Sequence, residues 1–209
     1  MSLAGTMRYF IGLATDQLLP HQCLLCGRFC FDRGVCAACW DGAWPISAPL
    51  CHRCGRPLAH ALPDHLCGQC WLAPPPLAAI RAGFVYNDFS RALILPFKHG
   101  DALHLTPVLG RFVTRHSNAM NDPSSLVIPI PLHRRHHNKR QAGLSRAQRK
   151  KNVAGIFSVT HKYRDVLSGR PVILVDDVMA SGATLAAAAR CLLAAGSGPV
   201  KGLVVARVL

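Results

Sequence analysis

Val172-Ile173-Leu174-Val175-Asp176-Asp177-Val178-Met179-Ala180-Ser181-Gly182-Ala183-Thr184 is the stretch that decides the fold. Its first four residues form an apolar run suited to a parallel strand buried on both faces. Asp176 and Asp177 follow at the carboxyl end of that strand, and the small residues Ala180–Thr184 form a loop. Leu185–Ala195, rich in alanine and leucine, predicts a helix, with Gly196 as its C-cap. A strand, a small-residue turn and a helix N-terminus make an anion site. Free backbone N–H groups point outward there, the helix dipole favours negative charge, and small side chains admit a phosphate to the backbone. Paired carboxylates suit ribose hydroxyls or an ion carried by the substrate, so a ligand with both sugar and phosphate fits the layout. The bland alternative is a strand end in which Asp, Ser and Thr serve only as turn and cap residues.

Outward from this stretch, the pattern alternates. Leu203–Val208 reads as a final buried strand, Ile156–Thr160 as a strand upstream, and Tyr163–Gly169 as a connection. Ser125–Leu132 is the second strongest strand candidate, its pairing ended by Pro129 and Pro131. Ala79–Tyr86 reads as another strand. Phe89–Phe97 and Leu103–Arg115 read as helices with a break at Lys98-His99-Gly100. The second carries an apolar stripe at Leu105, Val108, Leu109, Phe112 and Val113, with Pro107 in its first turn. Strand–helix–strand alternation predicts an α/β fold with a parallel sheet, whose ligands bind at the carboxyl ends of the strands.

Nine of the ten cysteines lie between Cys23 and Cys70, and eight form C-x-x-C pairs: Cys23/Cys26, Cys36/Cys39, Cys51/Cys54 and Cys67/Cys70. Such a turn brings two thiolates to one tetrahedral ion, and two turns close a four-sulfur structural zinc site. Glycines follow two of the pairs, at Cys26-Gly27 and Cys54-Gly55, where a knuckle turn needs positive φ. The gaps of nine, eleven and twelve residues between pairs allow small hairpins but no independent apolar core, so metal must hold the segment folded. The simplest pairing is sequential, giving two zinc ribbons; spacing leaves a cross-braced pairing open. Cys30 and Cys191 read as small buried hydrophobes. His52, His60 and His65 read as surface residues, since eight paired cysteines already supply the ligands. Tandem copies without a strand-to-helix setting argue against redox C-x-x-C chemistry.

Trp71-Leu72-Ala73-Pro74-Pro75-Pro76 follows the last pair, and consecutive prolines favour an extended spacer. This divides the chain into an N-terminal helix or leader (1–22), a double ribbon (23–72), a linker (73–78) and an α/β domain (79–209).

Composition bounds the function. Half of the 209 residues are apolar (50%), enough for a real core. Lys+Arg 24 against Asp+Glu 10 gives a formal charge of +14, which favours polyanionic partners, although zinc-bound thiolates offset part of it. The apolar patch Tyr9–Ala14 is too short to span a bilayer and precedes no small-residue cleavage site, so no membrane insertion and a cytoplasmic location are expected. Much of the positive charge lies in His133-Arg134-Arg135-His136-His137-Asn138-Lys139-Arg140, with Arg146, Arg149, Lys150 and Lys151 beyond. Arginine forks match phosphate oxygens, so this run suits a pyrophosphate or a nucleic-acid backbone, or forms a solvated basic face.

The apolar strand, Asp-Asp, two apolar residues and small hydroxyl-bearing loop resemble the phosphoribosyl pyrophosphate (PRPP) signature of type I phosphoribosyltransferases at all thirteen positions of Val172–Thr184. The resemblance implies that Ala180, Ser181, Gly182, Ala183 and Thr184 cradle the 5′-phosphate. It also implies that Asp176 and Asp177 contact the ribose hydroxyls, and that Mg2+ arrives with the pyrophosphate. Arg134 and Arg135 would neutralise the pyrophosphate. With the cysteine pairs, the proline hinge, Pro129-Ile130-Pro131-Leu132-His133 and Leu144–Phe157, the chain is similar to the ComF/GntX family from about Cys23 to Leu209. These are competence- and DNA-utilisation-associated phosphoribosyltransferase-like proteins with an N-terminal double zinc ribbon. The resemblance implies a role in the uptake or use of external DNA, with DNA-uptake proteins as partners and, as in some members, single-stranded DNA. A non-catalytic basic zinc-ribbon protein that binds single-stranded nucleic acid is the alternative class.

One departure stands out. Family members continue after the basic segment with Arg-Gly-Phe-Asn-Gln, a long helix and a Thr-x-x-Gln stretch before Leu-Ser-x-x-x-Arg. Here Arg140 runs directly into Gln141-Ala142-Gly143-Leu144, so that segment is missing. Parallel strands need a crossover of about a dozen residues or more, usually a helix. Leu132–Gly155 offers only Ala147–Val153 as a short helical turn, with almost no apolar face. The expectation is a shortened sheet lacking a strand and its covering helix, or a direct antiparallel return between Val127–Pro131 and Ile156–Thr160. Ligand binding is a safer expectation than turnover.

Overall fold

Apolar runs form the strands over residues 21–30, 34–100, 102–117, 120, 122–130 and 157–209, which the computed structural model describes. The strands are β1 (Ala79–Val85), β2 (Leu126–Pro129), β3 (Val172–Met179) and β4 (Val200–Arg207). The helices are α1 (Ala37–Trp40), α2 (Gly68–Leu72), α3 (Asp88–His99), α4 (Thr106–Ser117), α5 (Arg164–Leu167) and α6 (Ala183–Ala194). By internal contacts the chain forms two units, Met1–Ala43 with Asn87–Leu109, and Trp44–Tyr86 with Gly110–Leu209.

The first unit holds the first two cysteine pairs and α3. Asn87 and Ser90 close a capping box at the start of α3: the Ser90 N–H donates to Asn87 Oδ1 at 3.1 Å, and the Asn87 N–H donates to Ser90 Oγ at 2.9 Å. The helix runs through Lys98 and His99, two residues beyond the expected end, and Gly100 is its C-cap. Trp40 of α1 meets Phe89 edge to face, with ring centroids 5.7 Å apart.

The second unit is built on a four-stranded sheet in the order β1-β4-β3-β2, with every ladder parallel. Helix α6 is the crossover between β3 and β4. It ends in a Schellman motif, in which the N–H of Ser197 donates to Leu192 O and that of Gly196 to Leu193 O. Leu185, Ala188, Ala189 and Leu192 of α6 bury one face against Leu174, Val200 and Val204. On another cluster, Met120, Ile173 and Leu203 pack with Val113 of α4. Leu185 is 1% exposed. Leu185→Ala is therefore expected to cost about 2–5 kcal/mol by chemical denaturation, with zinc content unchanged.

Phe157–Thr160 forms no strand, although Phe157 and Val159 are partly buried against the core. The short apolar alternation there packs side chains without a ladder, and a 3₁₀ turn (His161–Tyr163) and α5 follow where a plain connection was expected. The antiparallel return is absent among the described residues: β2 pairs with β3 in parallel, and β2 forms one end of the strand order. Met1–Pro20 and Leu132–Gly155 lie outside the described residues.

Candidate functional site

Strand β3 runs four residues further than the apolar run alone suggests, through both aspartates to Met179. Asp176 pairs with Val204 and Val178 with Ala206, so the carboxylates are carried on the ladder itself. Alternation puts Asp176 on the face of Leu174 and Asp177 on that of Val175. Each carboxylate also fixes the backbone ahead of it. Asp176 Oδ1 accepts the Asp177 N–H at 2.9 Å, and Asp177 Oδ1 accepts the Val178 N–H at 2.6 Å. Both side chains are half-buried.

Beyond Met179 the chain turns through Ala180 and Ser181 into Gly182, the N-cap of α6. Gly182 has φ +72°, the left-handed region that glycine adopts without strain. Ala183 N–H donates to Ser181 Oγ at 3.4 Å. The N–H groups of Ser181, Gly182 and Thr184 meet no acceptor among the described residues. A twelve-residue helix thus opens on unpaired amides, beside two carboxylates at the carboxyl end of the sheet. Such geometry suits an anionic group at the loop and hydroxyls or a cation at the aspartates. Arg134 and Arg135 lie outside the described residues.

The eight paired cysteines assemble in chain order. Cys23, Cys26, Cys36 and Cys39 form one tetrad, and Cys51, Cys54, Cys67 and Cys70 the other, with the sulfurs of each within 4.8 Å of one another. This is the sequential arrangement. Cys26 and Cys36 Sγ are 3.7 Å apart, and Cys54 and Cys67 Sγ 3.6 Å. Four sulfurs at about 2.3 Å around a tetrahedral ion lie about 3.8 Å apart, so the spacing fits zinc. Backbone N–H groups already stabilise the thiolates: Cys36 donates to Cys23 Sγ at 3.3 Å and Cys67 to Cys51 Sγ at 3.4 Å.

Electrostatics points the same way. Burial pushes the Cys23 thiol up, but N–H groups of Cys36, Cys26 and Leu25 outweigh it and bring it down to about 6. Cys51 behaves likewise: burial raises it, and the N–H groups of Cys54, Cys67 and Arg53 bring it down to about 6. Their neighbours move oppositely. Hydrogen bonding to Cys26 pushes Cys39 up to about 12, and burial with the neighbouring sulfurs pushes Cys70 up. Cys23 and Cys51 form thiolates readily while Cys39 and Cys70 hold their protons, so zinc loading displaces protons and its affinity falls with acid. The histidines stay out of both tetrads, and His52 and His65 stack on each other at 4.5 Å.

The second tetrad is fastened to the sheet. Trp44–Ile46 covers the open edge of β1, where the Val85 N–H donates to Trp44 O and the Ile46 N–H to Gly83 O, both at 2.9 Å. The Ile80 N–H donates to Arg53 O at 2.7 Å, directly inside the Cys51–Cys54 knuckle. Gly55 makes this approach possible: its φ is +66°, and a Cβ would lie 2.3 Å from Ile80 O. Gly55→Ala is expected to lower stability by about 2–4 kcal/mol, read as a drop in thermal midpoint. Arginines complete the joint. Arg81 donates to His52 O at 3.0 Å, Arg53 to Leu77 O at 3.5 Å, and Arg207 to Cys54 O. Sequence reading missed Arg81 and Arg207. The signal for the latter was a lone cation inside the apolar run Leu203–Val208.

Fold and site together define a double-zinc-ribbon protein joined to a parallel α/β sheet. Residues 14–71 match the family model of the double zinc ribbon domain. The chain is related over most of its length to competence protein ComFC of Bacillus subtilis (strain 168), at 28% identity across 79% of this chain and 80% of the relative. DNA utilization protein YhgH of Escherichia coli (strain K12) is 26% identical, across 88% of this chain and 95% of the relative. Its counterpart in Salmonella typhimurium is 25% identical with the same coverage. These relatives bear out the ComF/GntX resemblance. The Escherichia coli alignment spans 229 residues against the 209 of this chain, so the chain lacks residues that this relative carries. No solved structure matches significantly. No helix among the described residues is long and apolar enough to cross a membrane.

Proposed function

We propose that the chain is a PRPP-binding, phosphoribosyltransferase-like protein of ComF/GntX type that acts in the uptake or use of external DNA. One observation carries the ligand reading: unpaired amides at Ser181, Gly182 and Thr184 open α6 directly after the Asp176–Asp177 pair. In this reading the loop holds the 5′-phosphate, the aspartates hold the ribose hydroxyls, and Arg134 and Arg135 hold the pyrophosphate, which carries Mg2+. The cellular role is supported by the names of the relatives, a competence protein and DNA utilization proteins. Titration calorimetry of the zinc-loaded chain with PRPP and Mg2+ tests it: heat with one site per chain is expected, and its absence refutes the ligand.

A second reading, a single-stranded nucleic-acid binder, is favoured by exposed aromatic rings. Phe29 is 71% and Trp40 38% exposed in the first unit; Trp44 is 62% and Trp71 67% exposed in the second. Each base stacked on such a ring contributes about 1–3 kcal/mol. Fluorescence anisotropy with a single-stranded oligomer at two salt concentrations decides it. Binding that weakens with salt supports this reading, and no binding at low salt removes it.

A further inference from the structure

Arg207 is 5% exposed, yet among the described residues its guanidinium donates to a carbonyl, Cys54 O, and its Nε meets no acceptor. A buried guanidinium so poorly matched costs several kcal/mol or more unless an anionic centre balances it. The centre at hand is the Cys51/Cys54/Cys67/Cys70 tetrad, which with zinc and four thiolates carries two negative charges. Arg81 reaches the same knuckle through His52 O. Burial holds the Arg81 guanidinium below its usual value, and the Cys51 and Cys54 thiolates offset part of that.

Arg207 also touches the candidate ligand site through its own backbone. It pairs with Met179, the last residue of β3, and the next residue, Val208, donates its N–H to Met179 O at 2.9 Å. Met179 Sδ in turn lies 3.5 Å from where a Cβ on Gly182 would stand. A continuous set of contacts therefore runs from Cys54 through Arg207 and Met179 to the loop.

We propose that Arg207, seconded by Arg81, is the outer-sphere counter-charge of the second zinc–thiolate centre, and that Arg207 ties this centre to the Ala180–Thr184 loop. It is a positioning residue: it orients a metal ligand on one side and a strand end on the other. The tie is a property of the fold and does not depend on what the loop binds. The first tetrad belongs to the other unit and serves as an internal control.

The test uses the full zinc-loaded chain. Zinc release to pyridylazoresorcinol is followed while N-ethylmaleimide labelling shows which tetrad has opened, and hydrogen exchange is read over 179–184. In Arg207→Met, zinc leaves the second tetrad about ten- to a hundredfold faster while the first tetrad keeps its rate, and exchange over 179–184 accelerates. Arg207→Lys, which keeps the charge but loses the fork, falls between. Wild-type release from the second tetrad in Arg207→Met overturns the counter-charge; faster release with unchanged loop exchange overturns the tie. The wild-type chain gives an arm independent of whether the variants fold. As chelator strips it, loop exchange must rise in step with labelling of Cys51, Cys54, Cys67 and Cys70. A loop still protected after those cysteines are labelled overturns the tie.

Discussion

Cys51→Ser is expected to cost the chain one zinc and, with it, the cooperative unfolding of the unit that carries the sheet. Cys51 is 0% exposed, and its tetrad anchors a knuckle whose backbone pairs with β1 at Ile80. Structural zinc contributes about 10–16 kcal/mol of folding free energy in small zinc modules. An ordinary domain has only about 5–15 kcal/mol in total. Losing the ion is thus comparable to the whole stability of an ordinary domain. The segment around it has little else: its cluster is Cys51, Cys67 and Cys70 with Cys54, Leu58 and Leu66 packed on it. Cys26→Ser, at an exposed position of the first tetrad, also removes one zinc but leaves the sheet's melting transition in place. Zinc content by atomic absorption with thermal melts by circular dichroism separates the two. Equal melting losses in both variants would contradict the account.

Asp176→Asn with Asp177→Asn is expected to abolish measurable PRPP binding while leaving the fold intact. Asparagine keeps the Oδ1 acceptors that the Asp177 and Val178 N–H groups use, so the local backbone is retained. The charge is lost. Hydrogen bonds to charged groups contribute about 1.5–3 kcal/mol each, so losing both charges weakens binding by about 3–6 kcal/mol, or roughly a hundredfold to ten-thousandfold. An unchanged melt with wild-type PRPP affinity would remove the aspartates from the site.

The strand, loop and helix of Val172–Thr184 were legible because each signal is local. An apolar run, small turn residues and an alanine-rich helix need no distant partner to be read, and Leu105, Val108 and Leu109 kept the burial that their helical spacing implies. What depended on distant partners was not legible. Spacing alone does not set the order of cysteine pairing, and only the fold brings Cys23 to Cys39 and Cys51 to Cys70. Over the described part of the Ile156–Thr160 strand reading, Phe157 and Val159 pack against the core without a ladder neighbour. Arg207 and Cys54 lie 153 positions apart, and no local pattern announces that a cation at the end of a strand serves a zinc knuckle.

The most direct measurement is a titration of the zinc-loaded, ¹⁵N-labelled chain with Mg2+ and PRPP, followed amide by amide. The account predicts shifts concentrated at Ser181, Gly182, Ala183 and Thr184, with smaller ones at Asp177 and Val178, all absent in the double asparagine variant. Saturating PRPP that leaves the 181–184 amides unmoved would contradict it.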